Sequence, residues 1–219
     1  MNIEHYYNLD DTKLSFSRQQ ASDFAKNVAG DFNPIHDPDS KRFCVPGDLL
    51  FSVMIHHYGL SRKMIFNFSG MVGDDVELIL PQPVDNHLAI LDARDKKYLA
   101  IEASGETSQD AVLINSLSQR YVEFSSQAFP NILVPLMQQQ NVMINPDRPL
   151  IIYESMSFEL DHLNAEQISL ELDSSVLQVN GKRGDLTLEY KISSQDGPIG
   201  HGCKRMVLSG LREYETARM

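Results

Sequence analysis

The first clear periodicity lies in SFSRQQASDFAKNVAG, where Ala21, Phe24, Ala25 and Val28 recur three and four residues apart, the spacing of one helix face. Ser17 stands before it and Gln20 follows three residues later, the pattern of a capping box. Gly30 occupies the place of a left-handed stop. In PGDLLFSVMIHHYGLS the apolar residues Leu49, Leu50, Phe51, Val53, Met54 and Ile55 leave hardly any polar side. A second helix, buried all round, is predicted there, with Pro46 or Asp48 in its first turn and Gly59 at its end. As a cap, Asp48 would use its carboxylate on the helix amides.

Shorter apolar runs then follow between turn signals such as Pro81-Gln82-Pro83, Asp95-Lys96-Lys97 and Ser108-Gln109-Asp110. They predict strands over 63–72, 75–81, 87–94, 98–107 and 112–125. The plan then recurs more weakly. FPNILVPLMQQQ, residues 129–140, predicts a short apolar helix interrupted by Pro135. Strands are expected over 150–160, 168–179, 185–193 and 199–210, with NGKRGD as a hairpin turn between the second and third. SMSFELDHLNAEQISLEL in this part echoes NFSGMVGDDVELIL in the first. The expectation is an α+β chain of two similar units, 1–126 and 127–219, each an antiparallel sheet around a helix.

Composition narrows the function classes. The chain has 219 residues, 42% apolar and 22% charged, with a formal charge of −11. That balance suits a globular protein and argues against nucleic acid or an anionic membrane as partner. The start, MNIEHYYNLDD, has neither the basic nor the apolar region of a secretory signal, and no apolar run has the length of a membrane span. A cytoplasmic location is expected. Cys44 and Cys203 form no CxxC, and His201 with Cys203 are too few for a zinc site. His56 and His57 are adjacent on the second helix and are expected in the core or an interface. No GxSxG, GxGxxG or P-loop pattern is present, and no cofactor or metal is called for.

The chemistry is concentrated in GDFNPIH, residues 30–36. Pro34 fixes its own φ and pushes Asn33 toward extended geometry, so Asp31 and His36 are held in a set relation. The stretch resembles the hydratase motif of the MaoC-like, (R)-specific enoyl-CoA hydratases, whose hot-dog fold wraps a sheet around one long helix. The resemblance continues through Asp37-Pro38, Phe43 and the Val45-Pro46-Gly47 turn into the helix. It implies a hot-dog fold, here a double one, and an acyl-CoA or acyl-carrier thioester as substrate. By the resemblance Asp31 and His36 form the catalytic pair and the Gly47 amide is the oxyanion donor. Asn33 braces the loop beside the substrate. Lys41 and Arg42 either meet a carrier phosphate or form a solvated turn.

The chain departs from that family in four places. The segment DPDSKRFCV is shorter than usual, and Pro46 replaces a histidine. The charged Asp48 follows the glycine, and the motif lies in the N-terminal half. Three readings follow. The first is a hydratase or dehydratase of 2-enoyl thioesters. The second is a hot-dog thioesterase using Asp48, and the third is an acyl-thioester binder without catalysis. A homodimer is compatible with the fold.

Overall fold

The computed structural model describes residues 1–146 and 149–215. Among these, a 3-10 turn over Ile3–Tyr6 precedes a hairpin of β1 (Asn8–Asp10) and β2 (Lys13–Ser15), which leads to α1 (Arg18–Asp23) and its π-helical continuation over Phe24–Ala29. The capping box is formed: the Ser17 side chain accepts from the Gln20 amide, and the Gln20 side chain accepts from the Ser17 amide. Gly30 closes the helix at φ 65°, a conformation open to glycine at little cost. The buried helix α2 spans Gly47–Tyr58, with every residue from Leu49 to Ile55 buried.

Four strands follow: β3 (Leu60–Phe68), β4 (Leu78–Ile79), β5 (His87–Asp92) and β6 (Lys97–Ser108). Of the run expected over 75–81, only two residues pair as strand. The fifth expected strand, 112–125, is not one. Those residues form helix α3 (Ala111–Ala128), capped by Asp110, whose carboxylate accepts from the amides of Val112 and Leu113 at 2.7 and 3.3 Å. Valine, isoleucine and tyrosine suggested a strand. The buried set Leu113, Ile114, Leu117, Ser118, Tyr121, Val122 and Ser125 instead repeats at helical spacing. The expected division at 126/127 therefore falls inside α3.

The helix expected over 129–140 is present as its continuation, π-helical over Phe129–Leu133 and α-helical as α4 (Val134–Gln139). Pro135 falls in the first turn of α4, where its missing N–H costs little. After the short β7 (Val142–Met143) come β8 (Ile151–Leu160), β9 (Ser169–Asn180), β10 (Arg183–Ser194) and β11 (Gly197–Ser209). The turn between β9 and β10 is the expected one, with Gly181 at φ 59°. A final β12 (Arg212–Glu213) pairs with β7.

One antiparallel sheet runs β1-β2-β4-β5-β6-β3-β8-β11-β10-β9. Its order shows the repeat. After α2 the strands lie as β3-β6-β5-β4, and after α3 as β8-β11-β10-β9, so first strand meets last in both halves. The halves join where β3 pairs with β8, Lys63 opposite Glu159 and Asn67 opposite Ser155. This is a double hot-dog arrangement, with α2 and α3 side by side against the sheet. The main core takes in α2, α3 and both central strands. A smaller one, with Leu133, Met137, Leu177 and Leu208, lies under α4.

Candidate active site

The loop between Gly30 and Pro46 is tied at several points. The Asp31 amide donates to the Ala25 carbonyl at 2.8 Å, and the Cys44 amide to the Ile35 carbonyl at 3.1 Å. Asp31 Oδ1 accepts from the Asn33 amide at 2.8 Å, and Asn33 Oδ1 accepts from the Ile35 amide at 3.2 Å. Asn33 itself is extended, at φ −61° and ψ 122°, as its following proline requires. His36 is buried, and its Nδ1–H donates to the Cys44 carbonyl at 2.6 Å. That bond turns Nε2 toward Asp31, whose Oδ2 lies 3.5 Å away. Burial works to raise the Asp31 carboxyl. The hydrogen bond and charge of His36, the Asn33 amide and the charge of Lys204 outweigh it and hold the group below its ordinary value.

Arg18 holds the far side of the loop. It donates to the carbonyls of Pro38 and Ser40, both at 2.9 Å, pairs with Asp74 at 2.8 Å and lies over the Phe43 ring. Lys26 pairs with Asp37 at 2.7 Å. Phe32 stands out from the loop, 74% exposed. Lys41 and Arg42 are exposed on the same loop.

The loop leads directly into the first turn of α2. Pro46 occupies the cap position and no side chain caps the helix, so the expected cap at Asp48 is not formed. Its carboxylate turns sideways to α3 and β11. Ser125 Oγ donates to Asp48 Oδ2, Lys204 Nζ donates to Ser125 Oγ, and Nζ lies 3.5 Å from Asp48 Oδ1. Two further polar pairs continue the seam down the antiparallel helices. Ser118 Oγ donates to Ser52 Oγ at 2.9 Å, and His56 Nε2 lies 3.1 Å from Asn115 Oδ1. His56 Nδ1–H donates to the Ser52 carbonyl at 2.7 Å, which makes it an interface histidine.

Lys204 occupies an inward row of β11, opposite Leu188 on β10 and Met156 on β8, and is 3% exposed. The Tyr153 ring lies 4.0 Å from its Nζ and the Tyr121 ring 5.6 Å. The two phenols hydrogen-bond each other, and burial raises both well above the ordinary tyrosine value. Burial pushes the Lys204 ammonium down, while Asp48 and Asp31 pull it up. Tyr153 also fixes the identity of Gly47, because a Cβ there would stand 2.5 Å from its ring. A groove of about 750 Å³ on another face of α3, lined by Arg120, Phe124, Ile132 and Leu170 among others, includes none of these residues.

A family profile described as "Protein of unknown function (DUF3581)" matches residues 1–217. The chain belongs to the DUF3581 family. No curated protein sequence matches it. Among solved structures, the DUF3581 chain is similar to a conserved hot dog fold protein of unknown function from Alicyclobacillus acidocaldarius. The identity is 8% and the TM-score 0.49, covering 95% of this chain and 98% of that one. It is also similar to an acyl-CoA thioesterase II from Mycobacterium marinum, at 10% identity and TM-score 0.46 over 98% and 99% of the two chains. A MaoC-like dehydratase is similar at 10% identity and TM-score 0.43, over 94% and 98%.

Within this DUF3581 chain, Asp31, Asn33 and His36 come together in one loop, and Gly47 opens the helix that follows it. Ser125, Lys204, Tyr153 and Arg18 were not singled out by the sequence. Lys204 carried a faint signal, a lysine in a run of strand residues. A register shift beside Arg205 and Met206 blurs the alternation that would have placed it inward. Among the described residues no helix is long and apolar enough to cross a membrane.

Proposed function

We propose that the chain is an acyl-thioester enzyme that adds water across the double bond of a 2-enoyl thioester, or removes it in reverse. The observation that carries this reading is the Asp31–His36 pair, its imidazole oriented by the Cys44 carbonyl and set beside the N-terminus of α2. A water held between Asp31 Oδ2 and His36 Nε2 has an acceptor on one side and a ring nitrogen on the other. The ionised Asp31 takes a proton from water as its oxygen bonds to C3. Electron density moves through C2 onto the thioester oxygen. The Gly47 amide, one of the helix-end donors without an intrahelical partner, faces that charge. His36 enters the cycle as an imidazolium paired with the Asp31 carboxylate and keeps its Nδ1–H on the Cys44 carbonyl. It gives its Nε2 proton to C2, and the proton that Asp31 took from water then returns to Nε2.

Phe32 forms an apolar lip for the acyl group at the open side of the loop. Lys41 and Arg42 supply cations for the phosphates of CoA or of a carrier-bound pantetheine. Asp48 is unsuited to serve as a thioesterase carboxylate, because its oxygens are already taken by Ser125 and Lys204.

The test is to mix the purified protein with 2-enoyl-CoAs of short and medium length and follow the ultraviolet loss of the conjugated double bond. Free thiol is monitored in parallel. Asp31→Asn and His36→Ala are expected to slow hydration by at least about a hundredfold, the usual scale for losing a general acid or base. Thiol release without loss of the double bond would replace this reading with hydrolysis. Binding without either reaction would replace it with acyl-thioester capture.

A further inference from the structure

Among the described residues, Lys204 is the one buried lysine, and the catalytic steps above do not use it. Burying an ammonium is costly unless its partners are well placed. The partners here adjoin the first turn of α2. Asp48 follows the Gly47 oxyanion donor, Ser125 comes from α3, and the Tyr153 ring touches both Gly47 and the ammonium. Five consecutive residues, Cys44 to Asp48, link the carbonyl that orients His36 to the carboxylate that holds Lys204.

We infer that Lys204 is a positioning residue for the Asp31–His36 pair, a buried positive charge supplied by the C-terminal half and held in place by Asp48 and Ser125. The inference rests on the reading of Asp31 and His36 as the reacting pair. The ammonium has two tasks. It keeps the first turn of α2 docked on α3 and β11, so that the Gly47 amide stays aimed. It also favours the charged form of Asp31, the form that accepts a proton from water. The charge of Lys204 acts on Asp31 and that of Asp31 on Lys204. Asp31 touches His36 and the Asn33 amide of its own loop, and the charge of Lys204 on β11 acts on it from farther off. Facing Lys204 are Asp48 from α2, Ser125 and Tyr121 from α3 and Tyr153 from β8, while Asp31 acts on it through charge alone. Lys26 with Asp37 and Arg18 with Asp74 form separate pairs around the loop.

The experiment is a carboxyl carbon NMR titration of Asp31 in the full chain, comparing wild type with Lys204→Met and Lys204→Arg, and Asp48→Asn with the double variant Asp48→Asn/Lys204→Met. The double variant removes the stranded carboxylate that could unfold the single one. Losing the Asp48 charge can only push Asp31 down, so a rise in the double variant comes from the lost ammonium. The expected result is a higher Asp31 midpoint in both methionine variants and a near wild-type midpoint with arginine. Where hydration is measurable, the acid limb of kcat/KM moves up with it and kcat falls more than KM changes. An Asp31 midpoint no higher in the folded double variant than in Asp48→Asn overturns the inference, even if activity is lost. A shifted midpoint in a protein that hydrates nothing supports the charge coupling and defeats the hydratase reading alone. A covalent acyl group on Ser125, seen by mass spectrometry after incubation with an acyl-CoA, would also overturn it, by making Ser125 and Lys204 the reacting pair.

Discussion

The two ends of the α2–α3 seam are built from the same fold and differ in almost every chemical respect. At the N-terminal end of α2 a tied loop presents Asp31 and His36, and the helix contact is ionic, Asp48 with Ser125 and Lys204. At the other end, β6 passes into α3 through Gln109 and Asp110 alone, and the contact is His56 with Asn115. The short connection leaves no room for a second acid–imidazole loop. A repeated architecture thus supplies two helix starts, and only one of them follows a loop with an acid–imidazole pair. The difference lies in the connecting loops, as expected for a fold that holds a site without dictating it.

That asymmetry can be broken from either end. The largest effect is expected from Lys204→Met, which strands Asp48 in the interior and should lower stability by about 3–5 kcal/mol, read as a shift in the urea midpoint. Adding Asp48→Asn should restore most of it. At the opposite end His56→Ala removes two polar contacts, to the Ser52 carbonyl and to Asn115, and should cost about 1–2 kcal/mol. Equal losses at the two ends would erase the distinction between them.

Activity should separate the ends more sharply. Asp31→Asn or His36→Ala is expected to reduce hydration at least about a hundredfold, whereas His56→Ala should change it by less than about threefold in a protein that remains folded. A comparable loss from His56→Ala would place a second working site at the start of α3.

The pH dependence sharpens the picture. Folded Asp31 ionises below its ordinary value of 3.8, so the stability it contributes is present above that pH and is lost as pH falls through the lower folded value. The melting temperature of wild type should exceed that of Asp31→Asn at neutral pH, with the gap closing in acid. A gap that widens in acid would show that the carboxylate is strained, not stabilised.

The smallest effect is expected at Cys44. Burial pushes its thiol up to about 11, so at neutral pH alkylation by iodoacetamide should be slow until the protein is unfolded. His36 uses the Cys44 carbonyl and not its sulfur. Cys44→Ser should therefore keep the ring in place and leave the hydration rate within about threefold of wild type.

What the sequence determined by itself was local. The Ser17–Gln20 capping box, the Gly30 stop, the Asn33–Pro34 turn that holds Asp31 near His36, and the all-round apolar α2 follow from neighbours within a few residues. Backbone sterics and short-range hydrogen bonds act at that range. The run 112–125 was misread because its β-branched and aromatic residues satisfy a strand as readily as a helix face. Packing against α2 decided between them. Only the tertiary structure placed Asp48 against Ser125 and Lys204, 77 and 156 residues away along the chain. A buried charge is tolerable only where folding brings its counter-charge into contact, and no spacing in the sequence records a meeting made across the join between the two halves of one sheet.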